Sequence, residues 1–241
     1  MADVRVLLDD LSAEGDDLDA LVSALSPERW RSETPAEGWT VAHQIGHLAW
    51  TDAATLLAVT DADSFNRMLE AAMAEAETFV DRGADEWANL TPDEILARWR
   101  TGRQALVDAL GAVPDGTRLP WFGPPMSAAS MTTARIMETW AHGQDVADAL
   151  GIERTATDRL RNVAHIGVRT RDFAYAINAI DPPAEPFRYE LTSPSGEIWT
   201  WGPDDANQRI SGPALDFCLL VTQRRHLDDL VLVADGADAQ A

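Results

Sequence analysis

A chain of 241 residues, 46% of them hydrophobic, is long enough for one large domain or two modest ones and needs no covalent staples to fold. Nineteen basic against forty acidic residues leave a net charge of −21, a field that repels phosphate backbones and anionic lipid surfaces, so nucleic acid is not an expected partner. The single cysteine, Cys218, rules out an internal disulfide framework, and its apolar setting, LDFCLLV, reads as a buried structural thiol in a reducing compartment.

Apolar residues recur at helical spacing over residues 3–25 (Val4, Leu7, Leu8, Leu11, Leu18, Leu21, Val22, Leu25), which predicts an amphipathic helix with a kink at Gly15. The acidic start is unlike a signal peptide, and no apolar run reaches the about eighteen residues of a membrane span, so the expectation is a cytoplasmic protein. SPERWRSETPAEGW, with Pro27, Pro35 and Gly38, is a loop that delivers Trp39 to the next helix. Thr40 is the N-cap expected for that helix, which runs to about 60. Both of its flanks carry apolar residues, so it is expected to pack against neighbours on two sides, and its histidines, His43 and His47, draw interest for that reason.

A third helix is predicted over 64–80, and a fourth opens at TPDE with Thr91 as cap and Pro92 in the first turn and runs to Gly111. VPDGTRLPWFGPPMSAAS has no helical period and reads as a long irregular connection, in which Trp121 and Phe122 either wall a pocket or pin the loop to the bundle. Helices follow over 131–150 and 157–180; PFRYELTSPSGEIWTWGP then alternates around a PSG turn as a β-hairpin. A helix opening at Ser211 with Pro213 in its first turn, a short apolar element in DDLVLV and a fraying tail complete the chain. The fold class expected is α+β: a helical part over 1–155 followed by a small mixed α/β domain over 156–241.

The helix 131–150 carries Glu138 and His142 four residues apart, one turn along a single face. An imidazole nitrogen and a carboxylate oxygen from one helix can converge on a metal ion when a third ligand arrives from elsewhere in a bundle, and His47 is the best candidate for it. His43 and His47 also stand four apart and form an alternative pair, while the competing reading of Glu138 and His142 is a solvated polar stripe. Two imidazoles and a carboxylate leave coordination positions open, as catalytic sites do; zinc is the default for that set, with iron, manganese or nickel able to take the same donors. Asp145 stands where it would accept from an imidazole N–H and Arg135 where it would hold Glu138, or both are ordinary surface charges; His165 and His226 read as surface residues.

TPAEGWTVAHQIGHLAW and ETWAHGQDVADALG resemble the DinB-like metal-dependent proteins, in the branch of the mycothiol-dependent maleylpyruvate isomerases and their uncharacterised actinobacterial relatives. SGPALDFCLLVTQRR is similar to the Gly-Pro-Ala helix ending in arginine of the same branch. The resemblance implies a four-helix bundle whose metal ligands are His47, Glu138 and His142, and a low-molecular-weight thiol such as mycothiol as cosubstrate. It further implies that Arg224, with Arg225 beside it as the alternative, helps hold the anionic thiol or the small-molecule substrate. The expected activity is metal-assisted attack of the thiolate on a small electrophile, giving isomerisation or thiol transfer. The alternative is a non-catalytic protein that binds a metal or a small ligand.

Overall fold

The computed structural model describes residues 3–240. The chain separates into two compact units, Met1–Arg154 and Thr155–Ala241.

The first unit is helical. Its four long helices are α1 (Val4–Val22), α2 (Val41–Thr60), α5 (Pro92–Gly111) and α6 (Ala128–Leu150), with the shorter α3 (Ala62–Ala74) and α4 (Phe79–Ala88) between α2 and α5. α1 packs on α5 and α6, and α2 packs on α5, α6 and α4, so the four long helices form one bundle with α4 laid against its outside. α2 is buried nearly all round, from Val41 and Ile45 to Ala54 and Ala58, because small and apolar residues recur on every face. Thr40 caps it, as expected; His43 completes the cap, its Nδ1 accepting from the Thr40 N–H at 3.2 Å. Val41, Ile45 and Leu48 lie in one cluster with Leu18, Trp30 and Trp99, which gathers α1, α2 and α5 around a common core.

Several boundaries differ from expectation. α1 runs through Gly15 without interruption, and the guanidinium of Arg103 fills the space beside that glycine. The helix expected over 64–80 is two: α3 stops at Ala74, and α4 then forms separately. The connection after α5 is ordered by a two-residue bridge in which Leu119 and Met126 exchange backbone hydrogen bonds of 2.7 and 2.9 Å. Trp121 stacks on Phe65, and Phe122 reaches Phe65, Phe79 and Trp50, so both rings pin this loop to the bundle. Ser127 caps α6, which therefore begins three residues before the expected start at 131.

The second unit holds a mixed four-stranded sheet in the order β2-β1-β3-β4: β1 (Phe187–Thr192), β2 (Ile198–Trp201), β3 (Gln208–Pro213) and β4 (Val233–Asp235). β1 and β2 form the predicted antiparallel hairpin, Leu191 opposite Trp199; β1 pairs in parallel with β3, and β3 antiparallel with β4. Phe187, Tyr189 and Leu191 alternate inward, and Tyr189 meets Phe217 of α9 (Ala214–Val221) edge-on. Two corrections fall here. The helix expected at Ser211 starts at Ala214, because Ser211 to Pro213 are spent on pairing with Glu190 to Thr192 of β1. The single helix expected over 157–180 is α7 (Leu160–Arg169) and α8 (Arg171–Ile177), broken where Thr170 leaves helical geometry at φ −99° and ψ 3°.

Candidate metal centre

His47 projects from α2, and Glu138 and His142 project from α6, towards one point. His47 Nε2 lies 3.3 Å from Glu138 Oε2, His142 Nε2 lies 3.4 Å from the same oxygen, and the three donor atoms sit within 4.8 Å of one another. Two ligands held tetrahedrally at zinc bond lengths stand about 3.3 Å apart, so the two shorter separations are of a size that could accommodate a shared ion. His47 is buried, while Glu138 and His142 each keep part of their surface open, which leaves a side from which further ligands can enter.

A hydrogen-bond chain decides which nitrogen of His142 faces that centre. Thr34 Oγ1 donates to the Trp39 carbonyl at 2.9 Å, so it accepts from Gln44 Nε2, also at 2.9 Å. That orients the Gln44 amide with its carbonyl oxygen 2.5 Å from His142 Nδ1, which must therefore carry the proton. In the neutral ring Nε2 is then a bare lone pair aimed at a carboxylate oxygen. Two lone pairs in that position repel unless a proton or a metal ion lies between them; with a proton there Nε2 donates to the carboxylate, and without it the position is open to a metal. The donor set and its outer hydrogen bonds therefore fit a divalent metal.

The electrostatics agree. Burial pushes the His47 imidazole below its ordinary value, against the pull of Glu138, so it is neutral and ready to ligate near pH 7. Burial pushes Glu138 up, but hydrogen bonds from His142 and His47 and the nearby charge of Arg135 outweigh it and hold the carboxyl well below its usual range. Trp39, held by Asp81 through its Nε1 at 3.1 Å, stacks over His142 with centroids 6.0 Å apart and lies 5.3 Å from the His47 ring. The Trp50 ring also lies 5.9 Å from that of His47. Indole rings thus flank both imidazoles and limit the access of water.

A family model described as the mycothiol maleylpyruvate isomerase N-terminal domain matches residues 11–147. The chain belongs to this maleylpyruvate isomerase family. Within the family, an uncharacterised protein of Mycobacterium tuberculosis, recorded from the CDC 1551 / Oshkosh and H37Rv strains, is 60% identical over 240 residues, covering 100% of this chain and 93% of the relative. Two crystal structures of mycothiol-dependent maleylpyruvate isomerase, one of them a histidine-to-alanine mutant, share the fold at TM-scores of 0.66 and 0.65 with 16% and 17% identity. In each case the match covers 96% of this chain and 92% of the other. A second family model, described as wyosine base formation, matches residues 183–235, in the sheet unit.

His47, Glu138 and His142 come together; His43 does not join them, since its Nδ1 serves the helix cap and its Nε2 pairs with Asp85 at 3.1 Å. Asp145 is not the acceptor for His142, standing 3.8 Å from Nδ1 where Gln44 is at 2.5 Å. Arg135 does not bind Glu138 directly; its Nε donates to Asp52 on α2 at 3.0 Å. The face read as a solvated stripe is sealed at both ends, with Arg135 1% and Asp145 4% exposed. His165 and His226 are exposed in the second unit, His165 accepting from Trp201 Nε1. Arg224 follows α9 in that unit, its backbone turned by Gln223 at φ +61° and its guanidinium donating to the Thr222 carbonyl. Sequence reasoning missed Gln44 and Asp52; the available signal was a polar residue on a helix already expected to be packed on two sides.

Proposed function

We propose that this chain binds a divalent metal, zinc by its donor set, through His47, Glu138 and His142, and uses it to activate a low-molecular-weight thiol of the mycothiol kind. The thiol adds to a small electrophilic substrate, and the reaction ends in isomerisation or in transfer of the thiol. The observation that carries this reading is the convergence of two imidazole nitrogens on one carboxylate oxygen, with the proton of His142 held away on Nδ1. When bound, the metal lowers the pKa of a coordinated thiol so that the nucleophile exists at neutral pH.

The chain's own residues do the rest. Gln44 keeps the His142 proton on Nδ1, and Thr34 keeps Gln44 in that orientation. Trp39 and Trp50 keep the imidazoles dry on their flanks. Arg224 is assigned to the anionic group of the thiol or substrate, a guanidinium being suited to two-point recognition of a carboxylate. The neighbours' names supply the first pair to assay, mycothiol with maleylpyruvate, followed by other activated alkenes and by epoxides.

The test joins elemental analysis to turnover. One equivalent of metal per chain and thiol-dependent product are expected, with both lost in His47→Ala and His142→Ala. Full turnover by metal-free protein overturns the reading. Stabilisation by mycothiol without product from any electrophile points instead to a protein that binds and does not catalyse.

A further inference from the structure

Three polar pairs join α2 to α6 across the bundle, and they run in order. Gln44 meets His142 at 2.5 Å, His47 meets Glu138 at 3.3 Å, and Asp52 meets Arg135 at 3.0 Å. Later residues on α2 face earlier residues on α6, so the two helices are antiparallel here and the pairs are successive rungs of one ladder. The ligands His47 and Glu138 form the middle rung. Gln44 and His142 flank it at one end, and Asp52 and Arg135 flank it at the other.

That last rung is an odd thing to find in a core. Arg135 is 1% and Asp52 5% exposed, and the Arg135 guanidinium has Nη2 buried without a hydrogen-bond partner. The desolvation of a buried ion pair cancels most of its attraction, and an orphaned N–H adds a further cost, so a packed apolar pair would serve stability as well or better. Asp52 also borders a cavity of about 130 Å³ shared with Thr139, Gln104 and Arg103, so apolar packing does not enclose it on that side. What an ion pair supplies and apolar side chains do not is register. A slip of one residue between the helices is about 1.5 Å, and a metal tolerates about 0.2 Å in its ligand distances.

We infer that Asp52 and Arg135 are positioning residues for the metal centre: their buried ion pair fixes the register of α2 against α6 so that His47 reaches the ion bound by Glu138 and His142. The inference rests on the ligand assignment made above, and the experiment separates the two. Zinc affinity of the whole chain is measured by competition with a chromophoric chelator, beside the thermal midpoint of the metal-free form and the visible absorption of the cobalt-loaded form. The variant is the apolar replacement Asp52→Leu with Arg135→Met, compared with the unaltered chain.

The expected result is a midpoint equal to or above that of the unaltered chain, with zinc affinity lower by about 10- to 100-fold and a changed cobalt spectrum. Zinc affinity within twofold of the unaltered chain, with an unchanged spectrum, overturns the inference. If the apolar variant does not fold, Asp52→Asn carries the test, since it keeps the size and one acceptor oxygen but loses the charge that anchors Arg135. At least a tenfold loss of affinity supports the positioning role, and unaltered affinity again overturns it. An unaltered chain that binds no zinc, cobalt or manganese is a different result, and it removes the ligand assignment itself.

Discussion

Gln44 fixes the tautomer of His142, and the metal binding proposed above depends on that choice. Replacing Gln44 with Ala leaves the imidazole free to carry its proton on either nitrogen, and the expected loss of zinc affinity is about 10- to 100-fold, measured by chelator competition; Gln44→Glu, which restores an acceptor, recovers most of it. Acid acts on the same residues. His47 has a folded-state pKa below 6.5, so between the two values the unfolded chain binds the extra proton, and this share of stability is present above pH 6.5 and lost as the pH falls through the folded value. Glu138 is likewise depressed, and its share is present above pH 4.5 and lost further down. Thermal melts of the metal-free protein from pH 8 to pH 3 are therefore expected to fall in two stages, and His47→Asn is expected to remove the first. At this scale the sequence makes the candidate cluster legible, because Glu138 and His142 share a face at a spacing with a chemical meaning. It hides Gln44 and Asp52, because their roles exist only once α6 lies across α2.

α2 is the element around which the bundle is built, and its neighbours come unusually close. A Cβ on Gly46 would stand 2.9 Å from the Cβ of Trp87 and 3.1 Å from the carbonyl oxygen of Ala84, so α4 rests directly on the backbone next to His47. Gly46→Ala is expected to force the two helices apart and to lower stability by about 1–3 kcal/mol in chemical denaturation, with weaker zinc binding because His47 moves with its neighbour. Helices with strong caps were readable in advance: Thr40 and Thr91 stand where α2 and α5 begin, and each forms a capping box. Breaks without a breaker were not. The apolar period runs in phase through Thr170, where no glycine or proline marks the change from α7 to α8. Pro213 misled for the opposite reason, since a proline that suits the first turn of a helix also suits the last residue of a strand.

For the molecule as a whole, the candidate ligands His47, Glu138 and His142 belong to the first unit and Arg224 to the second. If the units divide the labour as proposed, Arg224→Ala raises the KM for the thiol by about tenfold or more while the zinc content stays at that of the unaltered chain. Loss of zinc in that variant would contradict the division. The α+β class was readable from the switch of period near residue 186, whereas the parallel pairing of β1 with β3 was not, since it joins segments that the hairpin separates. Cys218 bears on the whole molecule in another way. Its Sγ lies sealed against the Leu160 carbonyl and burial pushes its pKa far up, so the one sulfhydryl of the polypeptide is silent. A colorimetric disulfide reagent added during turnover would thus count the cosubstrate alone, and alkylating agents among the trial substrates would find no side reaction with the catalyst to disguise a null result.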